Sequence, residues 1–543
     1  MKKLILTFSL LASIAYAQVS VEATTEGQKI LGLSFDPAEI DSMQGNLIEQ
    51  VKDFKRMREH PLPNSVPPAF VFNPQPVGFE VNTAQETIDW QLPENVKVPK
   101  DKGELAFYTV AELASLLKNR KITSVELTQI YLKRLKTYGD TLQCVITLTE
   151  KEAMTQAAAA DSEIAKGQYR GPLHGIPYGV KDLLAYPDYK TTWGAMPYKD
   201  QVLEETSTVI QKLEEAGAVM IAKLTLGALA WGDVWYGGKT RNPWNAEQGS
   251  SGSSAGSASA TSAGLVAFSI GTETLGSIVS PSTRCGNSGL RPSYGRVSRY
   301  GAMALSWTMD KIGPICRSAE DCAMVFAAIT GPDGKDQTLV PAAFNYQANT
   351  DFSQMRIGYV QAFFEREYFN SERDQAVLDV LKANGAELIP IEWEFETPVG
   401  PLSNILGAEA AAAFEELTLT NRDTLLVRQI KNSWPNVFRA GHFVSAVAYI
   451  QAMRHRYQLI QEVNALMQQV DVLIVPSFMG NQLLTTNLTG HPAVVVPHGF
   501  AENGSPTSIT FLGNLFDEAT ILSFAKKYQE LTDYENQHPE WLK

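Results

Sequence analysis

Residues 251–278 read SGSSAGSASATSAGLVAFSIGTETLGSI. A Gly/Ser/Ala run ends at Gly264, a short apolar stretch follows from Leu265 to Ile270, and a glycine-containing turn leads to Ser277. By composition the small-residue run, 249–264, is that of a flexible linker. Its surroundings oppose that reading, because it feeds directly into a stretch that reads as a buried strand, and a structureless linker inside a compact core is out of place. The apolar stretch is one of several β-type runs. GAVMIA at 217–222, VLIVPS at 472–477 and AVVVPH at 493–498 are others, and helical patterns such as SAEDCAMVFAAI and SERDQAVLDVLKANG alternate with them. That alternation predicts an α/β fold, with a large parallel or mixed β-sheet covered by helices on both faces.

Upstream, the pattern changes twice. From Thr109 two amphipathic helices are expected, each opened by a capping box: Thr109 with Glu112, and Thr123 with Glu126. Residues 18–104 form an amino-terminal extension with a helical stretch from Pro37 to Glu59, then PLPNSVPPAFVFNPQP, which cannot continue a helix. Packing or capping is its expected role. The first residues, MKKLILTFSLLASIAYAQ, join a basic start to an apolar run and an Ala15-Tyr16-Ala17 end. Residues 1–17 therefore read as a secretory signal peptide cleaved after Ala17, with a periplasmic or secreted protein beginning at Gln18.

Composition narrows the class. The chain has 543 residues, 44% apolar and 19% charged, as in a water-soluble globular enzyme. With 46 Lys plus Arg against 59 Asp plus Glu, the formal net charge is −13, which disfavours nucleic acid as a partner. No segment after the leader is apolar enough for a membrane span. Cys144, Cys285, Cys316 and Cys322 show neither Cys-x-x-Cys spacing nor a nearby histidine, so no metal site is expected; disulfides and buried thiols both remain open.

Amide cleavage needs a nucleophile, a proton acceptor and donors aimed at the oxyanion. In the turn before Ser277, the consecutive N–H groups of Thr274, Leu275, Gly276 and Ser277 can converge on one point. Ser253 lies in a loop whose small residues permit unusual backbone geometry and close approach of another segment. Lys181, in GIPYGVKDLL, follows an apolar stretch; burial there disfavours the ammonium form and makes the amine a usable base.

These segments resemble the amidase signature family, in which a Gly/Ser loop, a small-residue helix and an apolar strand precede Gly-Thr-Asp/Glu-x-x-Gly-Ser-Ile. GPLHGIPYGVKD, NPWN, GLRPSYGRVS, DKIGPICRS and NLTGHPAVVVP are similar to other family segments, and the likeness spans roughly residues 108–530. The resemblance implies an amidase catalytic domain over 105–543 without cofactor, with Ser277 as nucleophile, Ser253 as bridging serine after a cis peptide, and Lys181 as base. It further implies a backbone oxyanion hole at 274–277, with Gly252 and Ser254 near a small-molecule or peptide amide substrate. The family also contains an amidotransferase subunit that supplies ammonia to misacylated transfer RNA; export argues against that role, so no amidotransferase partner subunit is expected. Ser251, Ala255 and Leu275 stand where the family carries glycine, which is expected to narrow the oxyanion turn.

Rival assignments fit the pattern less well. Gly252-Ser253-Ser254-Ala255-Gly256 matches a nucleophile elbow that would use Ser254 with His491 or His498 in an esterase, but such an elbow must follow a strand and NPWNAEQGS reads as turn. Ser115-x-x-Lys118 and Ser523-x-x-Lys526 lack the companion motifs of penicillin-recognising enzymes. A catalytically lapsed secreted binding protein is the non-enzymatic alternative. Lys223 is the rival base; His174 and His491 read as structural, Met303 and Trp307 as packing or pocket wall, and Cys285 as a small buried hydrophobe.

Overall fold

The structure is a computed structural model that describes residues 19–542. Residues 1–17, read as a signal peptide, lie outside the described residues. Helix α1 (Val21–Ile30) leads into α2 (Pro37–Arg58), which opens on the Asp36–Glu39 capping box with proline in its first turn. These two helices bury a single side chain, Ile40. The proline-rich segment then runs without regular structure over the main body. Helices α3 (Val110–Lys118) and α4 (Ser124–Leu142) begin at the two expected capping boxes, each with both reciprocal hydrogen bonds formed.

Among the described residues, eleven strands build one mixed sheet. In chain order they are β1 (Val145–Leu148), β2 (Pro177–Lys181), β3 (Val219–Leu224), β4 (Phe268–Glu273), β5 (Ser288–Arg291) and β6 (Lys311–Cys316). The remainder are β7 (Ile357–Val360), β8 (Leu388–Ile391), β9 (Val472–Pro476), β10 (Ala493–Phe500) and β11 (Pro506–Gly513). Across the sheet they lie in the order β1-β3-β2-β4-β6-β5-β10-β11-β9-β7-β8. Parallel pairs at β2/β3, β2/β4, β9/β7 and β7/β8 combine with antiparallel pairs elsewhere. The four apolar runs of the sequence fall on β3, β4, β9 and β10. Every residue of β2, β3 and β9 is buried, which is why β3 and β9 read as largely apolar runs rather than alternating ones.

Register positions the chemistry. Strands β2 and β4 run parallel with Tyr178 opposite Phe268 and Val180 opposite Ile270. The Tyr178 and Phe268 rings stack at 5.2 Å, fixing this part of the core. Carried one step further, the register sets Lys181, the last residue of β2, beside the end of β4. The loops after β4 and before helix α5 (Ala255–Ser262) meet there, and helix α6 (Val279–Cys285) starts immediately beyond Ser277. All four cysteines are buried free thiols.

Candidate active site

Lys181 is completely buried, and among the described residues no carboxylate touches its amine. Its Nζ donates to Thr272 Oγ1 at 2.7 Å and Ser253 Oγ at 2.8 Å, with longer contacts to Ser254 Oγ at 3.2 Å and the Thr272 carbonyl at 3.4 Å. Burial pulls its pKa down to about 7, partly opposed by the charges of Asp310 and Glu273. An amine in this state can take up or release a proton near neutrality.

The loop carrying Ser253 is set by tight backbone contacts. A Cβ on Gly252 would sit 2.0 Å from the Gly232 carbonyl oxygen, so only glycine fits. The Gly252–Ser253 peptide is cis. Ser251 adopts φ +60°, the conformation a glycine takes readily, and its hydroxyl is tied to Ser280 Oγ at 2.7 Å. Ser254 is buried, and its hydroxyl is used within the protein: it donates to the Thr272 carbonyl at 3.1 Å and accepts from the Thr272 N–H at 3.1 Å. The preceding residues Asn245–Gly249 form a strand of a separate two-stranded ribbon, where the sequence reads as turn. Among the described residues no histidine bonds Ser254; His491 pairs with Thr489 and His498 with Asp374 and Thr507.

Ser277 is half-buried, and its carbonyl accepts from Ser254 N at 3.2 Å, joining the two serine segments. Among the described residues, no hydrogen bond joins Ser277 Oγ to Ser253; contacts of this kind often tighten only in the substrate complex. The N–H groups of residues 274–277 likewise donate to no protein acceptor among the described residues. Gly276 supplies the left-handed turn at φ +81°, and Leu275, at 38% exposure, points outward instead of closing the turn. Glu273 holds this arrangement from below. Its Oε2 accepts from the N–H groups of Ile278 and Val279 at 2.8 and 3.0 Å, and its Oε1 accepts from Arg291 and Asn487 at 3.0 and 2.9 Å. Burial pushes this carboxyl up, but Arg291, Asn487 and the two backbone donors outweigh it and hold its pKa down at about 2.

The other singled-out residues fall elsewhere. Lys223 is buried 3.0 Å from Asp182 and donates to the Lys190 carbonyl at 2.7 Å, a structural pairing. His174 accepts from Arg170 N at 3.1 Å, and His491 is buried with its pKa pushed down to about 3 by burial and Arg291. Two site residues, Thr272 and Asp310, lie inside the segments GTETLGSI and DKIGPICRS but are not among the residues the sequence reading singles out. Thr272 accepts from Lys181, while Asp310 accepts from Thr274 Oγ1 at 2.6 Å and from the Leu305 and Ser306 N–H groups. Their places in those two segments are the sequence signal that points to them. A cavity of about 290 Å³ opens beside these two threonines, with Met303 and Trp307 on its wall.

Comparison with known proteins gives this arrangement its lineage. Residues 126–522 match the Amidase family model. The chain is 32% identical over 480 residues to a glutamyl-tRNA(Gln) amidotransferase subunit of Coxiella burnetii, covering 79% of this chain and 99% of that protein. The corresponding protein of Halorhodospira halophila is 33% identical over 479 residues, covering 80% and 99%. Among solved structures, an amidase family protein from Bacillus anthracis superposes with a TM-score of 0.72 at 26% identity, covering 81% of this chain and 94% of that one. The peptide amidase of Stenotrophomonas maltophilia gives 0.69 at 27% identity, covering 78% and 97%. The amidotransferase relatives correct one expectation. That no amidotransferase partner subunit is involved rested on the leader sequence alone, whereas proteins matching four fifths of this chain are named as subunits of a glutamyl-tRNA(Gln) amidotransferase. A leader says nothing about which faces of the folded chain bind other proteins, so the exclusion of a partner subunit is withdrawn. With its mixed sheet, its serine loop and the turn after β4, the chain belongs to the amidase family and is an amidase-type hydrolase.

Proposed function

We propose that the protein hydrolyses a linear carboxamide by acyl transfer to water. Ser277 attacks the amide carbonyl, its proton passes through Ser253 to neutral Lys181, and that proton returns to the leaving amine as the C–N bond breaks. The N–H groups of residues 274–277 stabilise the oxyanion, and water cleaves the resulting Ser277 ester. The observation carrying this reading is the buried Lys181 amine, bonded to hydroxyl and carbonyl oxygens and 2.8 Å from Ser253. Residues 1–17 are read as a removable export signal and residues 18–104 as an extension of the 105–543 catalytic domain. A panel of primary and secondary amides, with ammonia and amine release measured separately, tests the activity; absence of hydrolysis across the panel by protein whose Ser277 also resists a fluorophosphonate would overturn it.

The amidotransferase relatives support a second reading, in which the ammonia set free is passed to a partner within an assembly. Hydrolysis of glutamine alone among the panel, together with a sedimentation mass above that of one chain after isolation from the native source, would favour it.

A further inference from the structure

We infer that residues 64–72 of the amino-terminal segment form a specificity wall of the cavity beside the catalytic serines, and that this cavity takes an aryl or compact apolar group attached to the scissile amide. The inference rests on the proposed hydrolysis at Ser277. Thr274, whose N–H begins the oxyanion turn, and Thr272, bonded to Lys181, both line the cavity, so a carbonyl held at the turn has its substituent beside this space. Pro67, Pro68, Phe70, Val71 and Phe72 line the same cavity, together with Met303, Leu305 and Trp307.

The segment is pinned to that position. Asn64 makes a two-way pair with the backbone of Ala304, donating to its carbonyl at 2.8 Å and accepting from its N–H at 2.7 Å. Phe72 is buried edge-on against Tyr294 at 5.0 Å, with the Arg456 guanidinium 3.6 Å over its ring. Six prolines between positions 61 and 76 reduce the backbone freedom lost on docking. Phe70 and Val71, 51% and 49% exposed, sit at the mouth.

Much of the charge on the cavity wall is committed elsewhere: Lys311 donates to the Met309 carbonyl, while the half-buried Glu205 also lines the space. Arg299 is paired with Asp336 at 3.1 Å, Lys335 lies over the Tyr300 ring at 4.4 Å, and Asp310 is bonded to Thr274 and two backbone N–H groups. What is left for a ligand is proline, aromatic and aliphatic surface together with the Glu205 carboxylate. A volume of about 290 Å³ suits one ring-bearing or branched group. The wall precedes residue 126, where the family match begins, so this part of the cavity is built by residues outside the matched region.

The test uses the full chain and a series of primary amides from propionamide to phenylacetamide and phenylpropionamide, read as kcat/KM. Phe70→Ala and Val71→Ala truncate half-exposed side chains, and Asn64→Ala, itself on the lining, unpins the wall while keeping the side chains at 70 and 71; circular dichroism checks that each variant is folded. Each should lower kcat/KM for the aryl amides by about 10-fold or more while leaving propionamide within about two-fold. Equal losses across the series, no loss, or a wild-type enzyme that cleaves propionamide and rejects the aryl amides would overturn the inference while leaving the hydrolase reading intact. A wild type that cleaves nothing and whose Ser277 does not react with a fluorophosphonate would overturn the hydrolase reading, and this inference with it.

Discussion

Lys181→Met keeps the length of a buried side chain and removes the amine. Burial holds that amine at a pKa of about 7, against 10.5 for an unperturbed lysine. The unfolded chain therefore binds more protons than the folded one between those values, and the contribution of Lys181 makes stability rise as pH rises through this window. From about pH 7 to about pH 9 the folded amine goes from half-charged to neutral while the unfolded one stays charged, a gain of about 2 kcal/mol. The variant should lack this increment. It should also lose turnover, because methionine cannot accept the Ser277 proton, and in the wild type the rate should rise with pH through about 7 as the base becomes neutral. Urea unfolding of both proteins at the two pH values, with amide hydrolysis measured in parallel, reads both effects. Near-normal turnover by a folded variant, or the same pH increment in variant and wild type, would refute the assignment of Lys181 as a buried neutral base.

Ser253→Ala breaks the proposed relay but leaves nucleophile and oxyanion donors in place, so its residual rate should stand well above that of Ser277→Ala. Combining it with Lys181→Ala should cost little beyond the worse single change, since residues acting as a unit do not add. Glu273→Gln leaves Arg291 buried without its counter-charge and loosens the Ile278 and Val279 N–H groups behind the nucleophile; denaturant unfolding should show a loss of roughly 3–5 kcal/mol, and kcat should fall. Amino-terminal sequencing of protein recovered outside the cytoplasm should begin at Gln18, and an intact Met1 in such material would contradict export.

Much of the site was legible because it is local. Ser253, the small-residue helix, β4 and Ser277 lie within one short stretch, and both capping boxes declared themselves by three-residue spacing. Lys181 rested on the family resemblance as well as on its apolar approach, because Lys223 follows an equally apolar stretch. What escaped depends on segments distant in the chain. The Glu273 clamp draws on Asn487, 214 residues away, and the cavity wall on Asn64, 240 residues from its partner Ala304. Strand order was equally hidden: β6 inserts between β4 and β5, a crossover that apolar runs do not encode. The left-handed conformation at Gly276 and the 38% exposure of Leu275 were not legible in the sequence either.

The most direct test of the account is the site of covalent capture. Full-length protein treated with a fluorophosphonate, then digested and mapped by mass spectrometry, should carry the adduct on Ser277, and Ser277→Ala should carry none. An adduct on Ser254 or another residue, or amide hydrolysis that persists in Ser277→Ala, would contradict it.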